Sequence, residues 1–217
     1  MQEIEDALHE DIKFVNVYER LYAHRDEYLY YKTDHHWTSK GAYYGYRELM
    51  EAMGLYVMPE NSFHIERATD DFYGTLYSKS GFRHISPDSI DLYIPKTTRE
   101  YSVKYYGEDN IEDSIYDMAA LNKKDKYEVF LGGNYPYIEI DTDARAGKNL
   151  LLIKDSYANS IVPFLTEHYD EIHLIDLRYY DGSIADTIRE KDIDDILILY
   201  NVITFSQDDY IDNMVNK

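Results

Sequence analysis

The chain has 217 residues, 44% of them hydrophobic and 15% aromatic, and 42 acidic against 22 basic side chains leave a net charge of −20. That length supports a full core without staples, and an acidity spread along the whole chain makes nucleic acid and anionic bilayers poor partners. No apolar run approaches the roughly 20 residues that span a bilayer, MQEIEDALHEDIKF lacks the basic and apolar regions of a signal peptide, and zero cysteines exclude disulfides and thiolate zinc sites.

In chain order, QEIEDALHE predicts a short acidic helix, IKFVNV a buried strand, ERLYAHRDE a second short helix and YLYYKT a second strand. The polar stretch TDHHWT (residues 33–38) follows, holding the chain's one tryptophan. In SKGAYYGYRELMEAMG, the residues Ala42, Tyr43, Tyr46, Leu49, Met50 and Met53 recur at helical spacing, with Thr38 or Ser39 as N-cap and Gly54 as the stop. From about 61 to 148 short β-like pieces (DLYIP, YSVKYYG, KYEVFLGGNYPYIEI) alternate with Gly, Pro, Asp and Asn clusters, which predicts a strand-rich insertion or lid within a single domain spanning 1–217. The last seventy residues alternate apolar strands with helices: NLLLIKD, ANSIVPFLTEHY, EIHLIDLRYY, SIADTIREKD, DDILILYNVI and a closing helix DDYIDNMVNK. Strands apolar throughout, separated by helices, predict an α/β fold with a mainly parallel sheet covered on both faces. In such sheets, sites gather at the carboxyl edge of the strands. The 25 tyrosines suit a tyrosine-rich core and rim, or a surface for stacking sugars.

Two loops fall at that edge. DSYANS places Ser156 at a sharp strand-to-helix turn, where a helix N-terminus offers backbone N–H groups to an oxyanion; plain N-capping explains a serine there equally simply. In TDHHWT, residues i and i+2 of an extended segment point the same way, so Asp34 and His36 share a side and His35 faces elsewhere. A carboxylate beside an imidazole fixes its tautomer and stabilises the imidazolium that forms when it takes a serine proton. Asp34, His36 and Ser156 are therefore the expected relay, with Trp37 as packing that shields it or as part of the substrate site, and Asp155 as a brace for the turn. Read as metal ligands, Asp34, His35 and His36 resemble the DHH run of manganese phosphoesterases, but no D-x-D-x-D segment precedes them; no metal or other cofactor is expected.

TDHHWT with SKGAYYGY, the central DFYGTLYSKSGF, and LLIKDSYANSIVPFLTEHYDEIHLIDLRYY together resemble the bacterial DHHW family, an SGNH-hydrolase-like group similar to the alginate O-acetyltransferases. The resemblance runs nearly the whole chain, from IKFVNV onward. It implies a three-layer SGNH-like sandwich in a circularly permuted motif order, because the Asp/His block here precedes the serine. It maps the acid, base and nucleophile onto Asp34, His36 and Ser156, and an oxyanion-binding asparagine onto Asn201, for which capping of the next helix is an equal rival. Arg178 and Tyr180 are candidates to line the substrate pocket. Lys154 departs from the pattern, since many SGNH enzymes carry glycine there. The implied activity is O-acetyl transfer to an extracellular polysaccharide from an unnamed acyl donor. A carbohydrate acetylesterase with the same relay, and a non-catalytic glycan-binding scaffold, are the alternatives. Members of this group are extracytoplasmic and usually membrane-anchored.

Overall fold

The computed structural model describes residues 2–109 and 111–207; the closing helix expected over DDYIDNMVNK lies outside them. In chain order the elements are α1 (Gln2–Ala7), α2 (Tyr18–Ala23), α3 (Ser39–Met53), β1 (Phe63–Phe72), α4 (Thr75–Ser80), β2 (Asp88–Pro95), β3 (Tyr101–Tyr105), β4 (Ile111–Glu112) and β5 (Tyr137–Thr142). They continue with β6 (Asn149–Lys154), α5 (Val162–Leu165), β7 (Glu171–Ile175), α6 (Ile184–Glu190), β8 (Asp195–Leu199) and α7 (Val202–Gln207).

A six-stranded sheet runs β4-β3-β5-β7-β6-β8, and β1 with β2 forms a separate antiparallel ribbon. Only β7-β6 and β6-β8 pair in parallel; β5-β7, β3-β5 and β4-β3 are antiparallel. The sheet is thus mixed, which corrects the expectation of a mainly parallel one. The cause lies in the segment expected to be a separate insertion: it contributes β3, β4 and β5 to the sheet itself. β3 and β4 follow each other closely in the chain, and so short a connection returns an antiparallel strand, while β5, reached by a longer path, enters antiparallel to both β3 and β7.

The sheet has helices on both faces because β6 is apolar on both. Leu150 and Leu152 face one way, with Ile172 and Leu174 of β7, and pack in one cluster with Tyr46 and Met50 of α3 and Phe164 of α5. Leu151 and Ile153 face the other way, against Ile184 and Ile188 of α6. Each such fully buried aliphatic side chain contributes about 1.5–3 kcal/mol. Helix α3 is closed as its sequence predicts. Thr38 accepts a hydrogen bond from the Gly41 N–H, and Gly54 ends the helix at φ 72°, a left-handed turn that glycine enters without a Cβ clash. Much of the tyrosine content sits in this core. The fully buried Tyr46 satisfies its hydroxyl by accepting from the Met58 N–H and bonding His168 Nε2, both within 2.9 Å.

Two expected strands do not form. Residues 13–17 join no sheet, and the only ladder contact in YLYYKT is an isolated bridge from Tyr30 to Trp37. The backbone of that segment is satisfied by its own loop: Thr38 N–H donates to Leu29 O and Tyr31 N–H to His36 O. The helix expected over ANSIVPFLTEHY is divided into a 3-10 turn, Ser156–Ser160, and the short α5. Pro163, near the start of α5, has no N–H to donate and restricts the residue before it, so the helix restarts there.

Candidate active site

Ser156 follows directly on β6 and heads the 3-10 turn. Asp155 caps that turn: one carboxylate oxygen accepts from the Tyr157 N–H at 2.9 Å and the other from the Asn201 N–H at 3.0 Å, tying the end of β6 to the end of β8. Asn159, buried in the turn, donates to the carbonyl of Gly133.

The Asp34–His36 loop comes to the serine without a strand to carry it. Asp88, at the start of β2, accepts from the backbone N–H groups of Lys32 and Thr33 and from the Thr33 and Tyr28 hydroxyls. The far side of the loop is held by Trp37. Its indole lies over Gly45 of α3, where an added Cβ would come within 2.9 Å of the ring, and its N–H donates to Tyr157 O and Ser160 Oγ, both at 2.9 Å. Only 5% of Trp37 is exposed, so it cannot serve as a stacking surface for substrate; it bolts the loop to the serine turn.

Asp34 and His36 share a side as expected, but through a turn and not an extended segment: residues 32–36 form bends, and the His36 N–H donates to Asp34 Oδ1 at 3.1 Å. His36 Nδ1 lies 2.5 Å from the same oxygen, and His36 Nε2 lies 2.8 Å from Ser156 Oγ, across 120 positions of sequence. The other Asp34 oxygen accepts from the Thr75 N–H at 2.8 Å and the Thr75 hydroxyl at 3.0 Å. Burial opposes ionisation of Asp34, but hydrogen bonds from His35, His36 and Thr75 outweigh it and hold the carboxyl well below the usual range. Burial also pushes His36 below its ordinary value; Asp34 counters this only in part, so the ring is neutral at pH 7. With Asp34 ionised, Nδ1 carries the proton toward it and Nε2 presents its lone pair to the serine.

His35 does not turn away as alternation alone predicts. Its ring packs against that of His36 at 3.9 Å and bonds Thr75 Oγ1 at 2.8 Å. The ligand atoms of Asp34, His35 and His36 lie within 4.8 Å of one another, yet both Asp34 oxygens already accept hydrogen bonds, which a metal would have to displace.

Three contributors are not among the site residues singled out in the sequence. Gly74 leaves room for Asp34: a Cβ there would sit 2.3 Å from the carboxylate. Thr75 supplies the two donors just described. Tyr127 stacks on His36 (3.8 Å between centroids, 8° between planes), with its hydroxyl 3.2 Å from Ser156 O. Gly74 and Thr75 lie within DFYGTLYSKSGF, a glycine followed by a hydroxyl residue that is the available sequence signal; Tyr127, one tyrosine among 25, carries none.

The remaining candidates are more peripheral. Asn201 uses its side-chain oxygen to cap α7 through the Ile203 N–H, while its side chain also reaches the Tyr157 hydroxyl. Arg178 is clamped in two hydrogen bonds to the buried Asp176, at 2.8 and 2.6 Å, which commits its guanidinium to the fold. Tyr180 packs with the α6-side cluster, its hydroxyl 2.9 Å from Thr187 Oγ1. The structure therefore brings together Asp34, His36 and Ser156 with Trp37 behind them, and leaves Arg178 and Tyr180 bound to other partners. Lys154, in the place of the glycine, is fully buried in β6, where burial lowers it to about 8 against the opposing pull of Asp176. The turn beyond it still delivers Ser156 to His36.

The chain is similar to several proteins of known structure. A crystal structure of a DHHW family protein from Eubacterium siraeum matches the whole chain and 72% of its own, with a TM-score of 0.85 and 28% identity. Bacillus cereus PatB1, solved with a sulfonyl adduct, matches 96% of this chain and 73% of its own at a TM-score of 0.78 and 23% identity. The O-acetyltransferase domain of Pseudomonas putida AlgJ aligns over the whole chain and 72% of its own at a TM-score of 0.46 and 12% identity. No curated protein matches the chain. The family model described as DHHW protein matches residues 5–175, most of the sequence, and the chain belongs to the DHHW family.

Proposed function

We propose that this protein is a serine-dependent acyl-transfer enzyme that moves an O-acetyl group onto a saccharide hydroxyl. The observation that carries the proposal is the unbroken file from Asp34 Oδ1 through the His36 ring to Ser156 Oγ, with contacts of 2.5 and 2.8 Å. As Ser156 Oγ attacks the acyl carbon, His36 Nε2 takes its proton and the carbonyl oxygen becomes an oxyanion. Collapse expels the donor's oxygen, which recovers the proton from His36 and leaves an acyl-serine. The acceptor hydroxyl then gives its proton to Nε2 and attacks, and Ser156 departs with a proton restored. Asp34 stays ionised and balances the imidazolium in both halves. Asn201 is the proposed oxyanion donor on the family resemblance, through the amide hydrogen left over from the Tyr157 hydroxyl, its oxygen being taken by the Ile203 N–H.

The acceptor class rests on the likeness of the DHHW and DSYANS blocks to the alginate O-acetyltransferases, as does the proposal that the enzyme works outside the cytoplasm. Fractionation of the source cells checks the latter. Among the described residues no helix is long and apolar enough to cross a membrane.

Turnover of p-nitrophenyl acetate tests the relay. Ser156→Ala is expected to lose at least about 10⁴-fold in kcat/KM, and equal rates in the two proteins would refute it. Adding an oligosaccharide acceptor and finding acetylated sugar by mass spectrometry distinguishes transfer from hydrolysis.

A further inference from the structure

A cavity of about 400 Å³ lies between α4 and the 3-10 turn Lys126–Val129, lined by Asp71, Tyr73, Tyr77, Arg83, Lys123, Lys124 and Lys126, among others. Both walls belong to segments that touch the relay. Thr75 at the head of α4 holds Asp34, and Tyr127, next to Lys126, stacks on His36. Four cations line this cavity against one carboxylate, in a chain of net charge −20. Lys126 pairs with Asp71 at 3.0 Å, and Lys123 with Glu128 at 3.2 Å and Asp117 at 3.7 Å. Arg83 and Lys124, both exposed, have no carboxylate within ion-pair reach among the described residues. Arg83 is held in place all the same: its guanidinium lies 4.5 Å over the Tyr77 ring and donates to Tyr77 O at 3.0 Å. Tyr73 and Tyr77 pack against each other at 4.4 Å, forming an aromatic wall beside it.

We propose that this cavity is a subsite for an acidic saccharide unit, its carboxylate held by Arg83 and Lys124 and its ring lying along the Tyr73–Tyr77 wall. The assignment rests on the reading of Ser156 as the reacting centre only in so far as it makes the bound saccharide the acceptor. Charge decides the ligand class. An acidic surface repels a polyanion everywhere except where cations are concentrated in a cleft, so a carboxylate-bearing chain is admitted at this place and turned away elsewhere. An arginine fork matches a carboxylate in shape as well as charge. A neutral sugar would gain nothing from uncommitted cations.

Calorimetric titration of the whole chain with a uronic-acid hexasaccharide and an uncharged hexasaccharide tests this. The acidic ligand is expected to bind about tenfold more tightly or better, corresponding to about 1.4 kcal/mol, with the preference shrinking as salt is raised. Arg83→Ala/Lys124→Ala is expected to abolish the preference, and Arg83→Lys/Lys124→Arg to keep most of it; unfolding midpoints verify that both variants fold. Equal affinity for the two sugars, no binding of either, or a preference that survives the double alanine variant would overturn the proposal. So would inorganic phosphate that competes as well as the hexasaccharide, since the site would then recognise a bare anion. The relay is judged separately: an acidic preference in a wild-type protein that turns over no ester removes the acyl-transfer reading and leaves the subsite in place.

Discussion

The serine and its base reach the same point by opposite means. Ser156 stands at the end of β6, a strand buried on both faces and paired on both edges, so its position follows from apolar packing and backbone ladders. His36 stands on a loop with one isolated bridge, held by discrete side-chain contacts: Asp88 beneath it, Trp37 behind it, and Thr75 and Gly74 against its acid. A strand spreads its positional energy over many weak contacts, whereas such a loop concentrates it in a few polar ones. Damage to the two sides should therefore look different: on the strand side it appears as lost stability, on the loop side as lost chemistry.

Asp34→Asn is the strongest break on the loop side. It removes the charge that orients His36 and stabilises the imidazolium, and a loss of about 10³–10⁴-fold in kcat is expected in ester turnover, with folding largely intact. Gly74→Ala comes next. Its Cβ would collide with the Asp34 carboxylate, and a displacement of the order of an ångström lowers kcat by roughly 10²-fold. Leu152→Ala probes the strand side. Emptying a fully buried site should reduce unfolding free energy by about 2–5 kcal/mol in denaturant titration, while kcat of the folded fraction stays near wild type. If Leu152→Ala instead lowered kcat as much as Gly74→Ala, the contrast between the two sides would fail.

The pH profile sharpens the comparison with the smallest effect. Burial places the folded-state value of His36 below 6.5, so the free base is lost only as pH falls through that lower value. The acidic limb of kcat/KM should have its midpoint below 6.5, and a limb above 6.5 would contradict the burial argument. The sign for stability is the same. The folded protein binds fewer protons at His36 than the unfolded chain does, so this residue's contribution is intact above about 6.5 and is lost as pH falls beneath it.

Much of the strand side was legible in the amino-acid order. NLLLIK and DILIL each hold four consecutive aliphatic residues, EIHLI is broken only by the buried His173, and each is a strand of the sheet. The closeness of Asp34 and His36 was legible from their two-residue spacing, though it is an Asx-type turn, His36 N–H on Asp34 Oδ1, and not strand alternation that brings them together. IKFVNV and YLYYKT carry the same apolar signal but form no strands, because a short apolar run reports burial and not which partner satisfies its backbone. The exposed, charge-rich β1 has no apolar alternation at all and takes its strand form from pairing with β2.

What local order decided, then, was which residues are apolar enough to be buried, where helices are capped, and which acid lies beside which imidazole. These are properties of neighbours in the chain, set by backbone geometry within a few residues. Tertiary structure alone decided that the sheet is mixed, that Gly74 and Thr75 close around Asp34, and that Tyr127 covers His36. Each of those depends on contacts between segments tens of residues apart, which no local periodicity encodes.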